Sequence, residues 1–294
     1  MLSQLIINGI ISGSVFSLIA IGFSLIYTTT HFFHFAHGAV YTSGAYLAYL
    51  FFIVLHLPIY IAFPLAIVGA AIIGAGMEMG VYRPMRKRNA TSMVLLIASL
   101  GLFVILQNVI SLIFGDDIKS IRTGTTKVGI LIPCTDARIT PIQITIIAVA
   151  VALIIITALI LKFTRIGKAL RAVASNSELA RVSGIDIERV ILFAFLLGSA
   201  LAGASAILIA LDIDMTPTMG FSALMMGVVA AIVGGVGNVA GASAGGFLMG
   251  LAMNIGVWRI SSQWQNTIAF VILLIFLIFR PQGFFGRKLK RVKL

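Results

Sequence analysis

The sequence predicts an all-α, polytopic membrane protein with about eight to nine transmembrane helices. Three observations carry that expectation. Of 294 residues, 60% are hydrophobic and only 10% charged, where a soluble domain carries about 25% charged residues. Uncharged apolar runs long enough to span a bilayer, about 20 residues each, recur along the chain. Glycine is frequent, at 29 residues, as expected where helix backbones touch inside lipid. The mean hydropathy of +1.11 agrees.

The runs follow in order. The first extends from about Gln4 to Tyr27, with Gly9, Gly13 and Gly22 available for close packing. No basic segment precedes it, so no cleavable signal is expected. The second, 31–55, opens with His31, His34 and His37 and holds Gly38, Thr42, Ser43 and Gly44. It reads as a span with a broken first turn, tolerated only under cover of protein or a water-filled cavity. Residues 34–44 are therefore placed near a pathway; a small-residue packing face is the alternative. Pro58 opens a third span ending near Tyr82. Glu78 lies in its last turn, with Arg83 and Arg86 as candidate partners, because a carboxylate at that depth is costly unless paired. Ser92 to Phe114 is the fourth span. A mixed-charge loop, 115–140, reads as a small hairpin or lid, and Pro141 to Phe163 as the fifth span.

Residues 165–190 then break the apolar pattern with a polar, basic stretch. It reads as two short helices. Ala169, Leu170 and Val173 share one face of the first; Ser177 is placed as cap of the second and Gly184 as its end. Asp186 is placed as cap of the sixth span, about Val190 to Leu211. This stretch is expected to dock a partner, a solvated connector being the alternative. The glycine-rich part, 221–257, reads as two shorter spans around a tight turn at Gly234–Asn238, or as a re-entrant pair. Trp258 and Trp264 flank an interfacial link, and a final span runs from about Asn266 to Phe279.

Net charge is +12. The Lys and Arg residues fall four in 83–88, six in 162–189 and six from Arg280 onward, sixteen of the 21 on one predicted side. By the positive-inside rule that side is cytoplasmic, with the N-terminus outside and the C-terminus inside. The charge is thus read as orientation, with no nucleic-acid partner expected.

Chemistry-bearing patterns are few. Gly241–Gly245, GASAG, matches a nucleophile-elbow string, but that motif needs a strand–turn–helix context, and here it lies in an apolar run. The three histidines are spread around a helix at their spacing and read as interfacial groups, not a metal site. Cys134 is a single cysteine and reads as an unpaired loop thiol. The chain has no phosphate-binding loop of the G-x-x-x-x-G-K-[ST] type, so ATP, if it drives anything here, is bound by partner subunits, and no cofactor is expected in this chain. One candidate intramembrane carboxylate is sparse for an ion- or proton-coupled secondary transporter of amino acids or related amides, the rival reading.

Three stretches together resemble the permease subunit of branched-chain amino-acid ABC importers. HFAHGAVYTSGAY, 34–46, resembles N-F-A-H-G-x-x-Y-x-x-G-[AS]-Y. GKALRAVASNSELARVSGIDIERV resembles G-[RK]-x-x-R-A-x-[AS]-x-x-x-x-x-A-x-x-x-G-I-[DN]. The third is 219–250, followed by RPQGFFG at 280–286. The family commonly has Asn where this chain has His34, and Lys where it has Met226. The resemblance implies an ABC importer permease fold in a bacterial or archaeal inner membrane. It also implies a similar second permease subunit, two cytoplasmic ATPases and an extracytoplasmic solute-binding protein. It assigns ATPase coupling to Gly167, Arg171, Ala172, Asn176, Ala180 and Gly184. A translocation pathway is expected around His34, His37, Gly38, Tyr41, Gly44, Met226, Gly234 and Gly235.

Overall fold

In the computed structural model, residues 2–122, 129–131, 137–259, 261–280 and 282–285 are described. Cys134 and the tail from 286 lie outside them. Twelve α-helices are seen among these residues. They are α1 (Leu2–Thr30), α2 (His37–Tyr49), α3 (Ile59–Met77), α4 (Arg83–Lys87), α5 (Ser92–Phe114), α6 (Pro141–Phe163), α7 (Arg165–Ser175), α8 (Ser177–Val182), α9 (Ile187–Asp212), α10 (Met219–Gly234), α11 (Val239–Gly256) and α12 (Gln265–Phe279). Two π-helical turns extend them: Leu50–Val54 continues α2, and Glu78–Tyr82 joins α3 to α4. Eight helices are long and apolar enough to cross a membrane among the described residues, and α10 is a shorter apolar helix. The hairpin expected in the 115–140 loop is one two-residue pair, Ile130–Leu131 against Arg138–Ile139.

Helix starts follow side-chain chemistry. Thr91, Thr140, Thr164, Asp186 and Asn238 each accept a backbone N–H from the first turn of the helix they precede, satisfying donors that have no partner inside the helix. Ser177 is not the cap of α8. Asn176 is, its Oδ1 accepting from the N–H groups of Glu178 and Leu179 at 3.0 Å each. Asn176 is already extended, at φ −161°, whereas Ser177 has entered the helix. Gly184 ends the segment as expected, with φ +81°, a conformation that only glycine adopts at no cost.

The core is built from α1 and α9, which pack antiparallel. The Ser205 hydroxyl donates to the Val15 carbonyl at 3.0 Å, and further along α1, Gly22 lies against the backbone of Gly198, earlier in α9. α3 packs antiparallel on α9 through Gly74 against Ser199 and Ala70 against Gly203; α11 packs antiparallel on α1 through Gly250 and Gly246 against Gly13 and Ser17. Two similar units result. In each a long helix (α1 or α9) is followed by a six-residue link (31–36 or 213–218), then a short helix (α2 or α10), then an antiparallel helix packed on the other unit's long helix (α3 or α11). The second residues of the two short helices, Gly38 and Gly220, touch each other reciprocally. Because α1 and α9 are antiparallel, the two units run in opposite senses, the inverted-repeat arrangement found in many transporters.

The two ends of the bundle differ. At the first, the Gln4 side chain bonds the backbone of Arg138, Gln143 donates to Asp212, and Lys119 pairs with Met215. At the second lie the last turns of α1, the 235–238 turn, α4 and the α7–α8 pair, with the backbone of Phe284 and Phe285 bonded to Val233 and Gly234. The cation-rich segments 83–88 and 162–189 thus share one end, as the charge distribution predicts.

Candidate functional site: the coupling surface and the interior link

α7 is laid against the bundle by Gly167, Leu170 and Val173, all buried, and by Ala169, half-buried. A side chain at position 167 would meet the Ile160 carbonyl at 2.5 Å, so glycine there lets the helix double back tightly on α6. Arg171 is exposed, and its Nη1 donates to the Leu161 carbonyl in the last turn of α6, where an unpaired carbonyl and the negative end of the helix dipole favour a cation. Of the six coupling residues, Arg171, Asn176 and Gly184 face outward, Ala172 is half-buried, and Gly167 and Ala180 face the bundle. The outward face also carries large apolar side chains that pattern reading passed over: Ile166, Leu179 and Val182, 47%, 65% and 87% exposed. For Leu179 and Val182 the signal was present, as apolar positions in a segment rich in charge; Ile166, four and seven residues before Leu170 and Val173, reads as part of their stripe and is exposed in the first turn of α7. Beside Arg171 a cleft of about 760 Å³ opens between α1, α6, α7 and the 236–240 turn, with Lys162, Ser175, Thr28 and Asn238 on its walls.

The histidines are not an interfacial set. His31 has φ +55° and ends α1, residues 32–36 are not helical, and His37 opens α2; only His31 is exposed, while His34 and His37 are fully buried. The reading failed because three-residue spacing was projected onto a helix that stops at Thr30. The link 31–36 instead tucks into the protein. Ser99 of α5 accepts from the Phe35 N–H and donates to the Phe33 carbonyl, both at 3.1 Å. His34 Nδ1 is hydrogen-bonded to the Tyr82 hydroxyl at 3.0 Å, within a cluster of Phe32, Tyr82 and Phe195 rings. The broken first turn expected at the start of 31–55 is therefore present at 31–36, and beyond His31 it is covered by protein.

All eight pathway candidates, His34, His37, Gly38, Tyr41, Gly44, Met226, Gly234 and Gly235, are buried within the chain's own helices. Gly44 lies on Gly203, and Gly234 on Gly241. Depth is fixed by Phe221, whose ring lies 5.9 Å from Phe103 at the middle of α5. The second link, 213–218, thus descends from the first end to mid-depth before α10 begins. There Thr218 and Ser222 are exposed beside Phe221, their hydroxyls bonded locally, Thr218 with Thr216 at 3.3 Å and Ser222 to the Met219 carbonyl at 3.0 Å.

Glu78 is 1% exposed and is gripped by both Nη atoms of Arg86. Arg86 Nη2 also donates to Glu188 in the first turn of α9 at 3.0 Å, and Arg83 lies 3.2 Å from the same carboxylate oxygen. The sequence offered Arg83 and Arg86 as partners to Glu78; Arg86 is one, whereas Arg83 turns to Glu188, and Glu188, 102 residues away from Arg86, was not legible as a partner. The GASAG string is helical packing: the Ser243 carbonyl accepts the Ser17 hydroxyl at 2.8 Å, and there is no turn for a nucleophile.

A bundle of apolar helices arranged as two inverted units, with a polar helix pair laid across one end, defines a membrane transport permease. The same chain tracing recurs in a solved structure, PsaBC from Streptococcus pneumoniae in complex with Fab, at a TM-score of 0.52 and 15% identity over 94% of this chain and 91% of that one, a likeness of fold. The chain belongs to the family described as branched-chain amino acid transport system / permease component, which it matches over residues 5–277. It is 31% identical to the high-affinity branched-chain amino acid transport system permease protein LivH of Escherichia coli, over 97% of this chain and 95% of that protein. Identity is 31% to BraD of Pseudomonas aeruginosa over the same shares. It is 30% to a probable branched-chain amino acid transport permease protein LivH of Methanocaldococcus jannaschii, over 98% and 95%.

Proposed function

We propose that this chain is the membrane-spanning subunit of an ATP-driven importer that carries branched-chain amino acids by alternating access. The observation that carries this reading is the end-to-end likeness to permeases named for that transport. Its partners are a second permease subunit of similar fold, two cytoplasmic ATPases that bind the ATP, and an extracytoplasmic solute-binding protein. It sits in a bacterial or archaeal inner membrane with the N-terminus outside and the C-terminus inside, in keeping with the shared end of its cation-rich segments. It holds no cofactor and performs no bond chemistry.

The α7–α8 segment is the ATPase contact. Arg171, Asn176 and Gly184 meet the partner together with Leu179 and Val182, whose exposure on a polar segment favours a protein cover. The solute passes between the two permease subunits, along the face where Thr218 and Ser222 emerge. The segments 34–46 and 226–235 lie behind that face and move to open and close it. The test is co-purification followed by reconstitution. ATP should drive leucine uptake into proteoliposomes only when the ATPase subunits are present, and Arg171→Glu should lower ATPase recovery at least tenfold without dispersing the helices. Uptake driven by an ion gradient with no ATPase present would sink this reading and favour a secondary transporter.

A further inference from the structure

The ion pairs at the second end connect to the interior link through an unbroken line of contacts. Glu188 stands in the first turn of α9, six residues beyond the end of α8, and the intervening turn is tied to α8 by the Ile185 N–H donating to the Ala180 carbonyl. A displacement of α8 is therefore passed to Glu188 through this turn, while α7 bears directly on α6 through Gly167 and Arg171. From Glu188 the line passes to Arg86 and on to Glu78. Glu78 begins the π-helical turn and Tyr82 ends it. Tyr82 holds His34, and His34 lies in the link that feeds α2 and its contact with Gly220 of the other unit.

Two features mark this line as able to take a second arrangement. A π-helical turn is a local departure from the α-helical ladder that occurs often at functional sites, and here it lies between the charged and the aromatic half of the line. The His34 Nε2 and the Ser199 hydroxyl, close to either side of Phe195, are buried without hydrogen-bond partners. A buried polar atom left unpaired raises the free energy of its arrangement relative to one that pairs it, so the packing around the link is not at its best-satisfied state. Coupling between distant sites needs such an element whose equilibrium both sites bias.

We propose that Glu188, Arg86, Glu78, Tyr82 and His34 act as positioning residues that transmit displacement of the α7–α8 segment to the 31–36 link. The proposal rests on the functional reading above. It is tested in the full transporter, purified with its partner subunits and reconstituted, by measuring ATP hydrolysed per leucine imported for Glu188→Gln, Tyr82→Phe and the double variant. Each single variant should retain its ATPases and hydrolyse ATP within about twofold of the parent while consuming at least fivefold more ATP per leucine. The double variant should be no worse than the more severe single, because both interrupt one line. If Glu188→Gln fails to assemble, Tyr82→Phe, which removes one hydroxyl from a filled core, decides alone. An unchanged ratio, or losses that multiply in the double variant, overturns the proposal. A parent complex that imports nothing on ATP fails the functional reading and this inference with it; a parent that does so beside unaffected variants overturns this inference alone.

Discussion

Replacing Gly38 by alanine tests whether the two inverted units are locked through direct backbone contact. A methyl group built there lies 2.6 Å from the Gly220 carbonyl oxygen and 3.1 Å from its carbon. Ordinary carbon–oxygen approaches are about 3.3 Å or longer, so α2 and α10 must separate by about 0.7 Å. Both helices are held from behind, α2 by Gly44 on Gly203 and α10 by Gly234 on Gly241, so the strain cannot disperse freely. Forcing an extra methyl into a filled core costs about 1–3 kcal/mol. Gly101 is the matched control, since it lies inside α5 with nothing within 4 Å of an added methyl. There alanine should be neutral or stabilising by up to ~1 kcal/mol through helix propensity. The two variants, unfolded reversibly with sodium dodecyl sulfate in mixed micelles, should differ in unfolding equilibrium by a factor of about 5–30 or more, Gly38→Ala being the weaker. A Gly38→Ala protein as stable as Gly101→Ala would mean that the reciprocal contact does not hold the units together.

Three further outcomes follow from individual contacts. Asn176→Ala removes the acceptor for two N–H groups of α8 and should weaken that helix by about 1 kcal/mol, read as faster amide exchange in 177–182 with the spans unaffected. Asp214 hydrogen-bonds Arg122 at 2.5 Å, and that bond, with one from Ser120, holds its carboxyl below the usual aspartate range. A depressed folded-state value stabilises above the unfolded value and is lost as pH falls. The difference in thermal stability between the parent and Asp214→Asn should therefore be present at neutral pH and fade as pH falls below about 3.9. Ser243→Ala should leave import unchanged, because the carbonyl of residue 243 makes the contact with Ser17; loss of activity in an assembled protein would reopen the catalytic reading.

The spans were legible because the physics that makes them is local. Ser92–Phe114 and Pro141–Phe163 appear with the boundaries read from the sequence, each an unbroken apolar run started by a threonine whose side chain accepts a first-turn N–H. The helix pair at 165–184 was legible for the same reason, its apolar stripe and terminating glycine being adjacent in the chain. What escaped was decided between segments far apart. Tyr82 and His34 are 48 residues apart, and although His34 drew attention in the sequence, nothing there pairs it with Tyr82; only the fold brings hydroxyl and imidazole together.

The pairing of Gly38 with Gly220 depends on an inverted arrangement that no periodicity in the sequence announces, since the two short helices share little beyond a glycine at the second position. The same reasoning explains why the candidate pathway residues are buried. Glycine, alanine and serine in a membrane helix signal close approach of backbones, and a sequence cannot distinguish approach to another helix from approach to a solute. In this chain the approach is to another helix at Gly38, Gly44 and Gly234. The polar groups exposed near mid-depth, Thr218 and Ser222, stand at the start of α10, a helix expected from the sequence only from 221 onward. Small-residue motifs therefore mark where backbones meet, and at Gly38, Gly44 and Gly234 the partner is a backbone of this same chain.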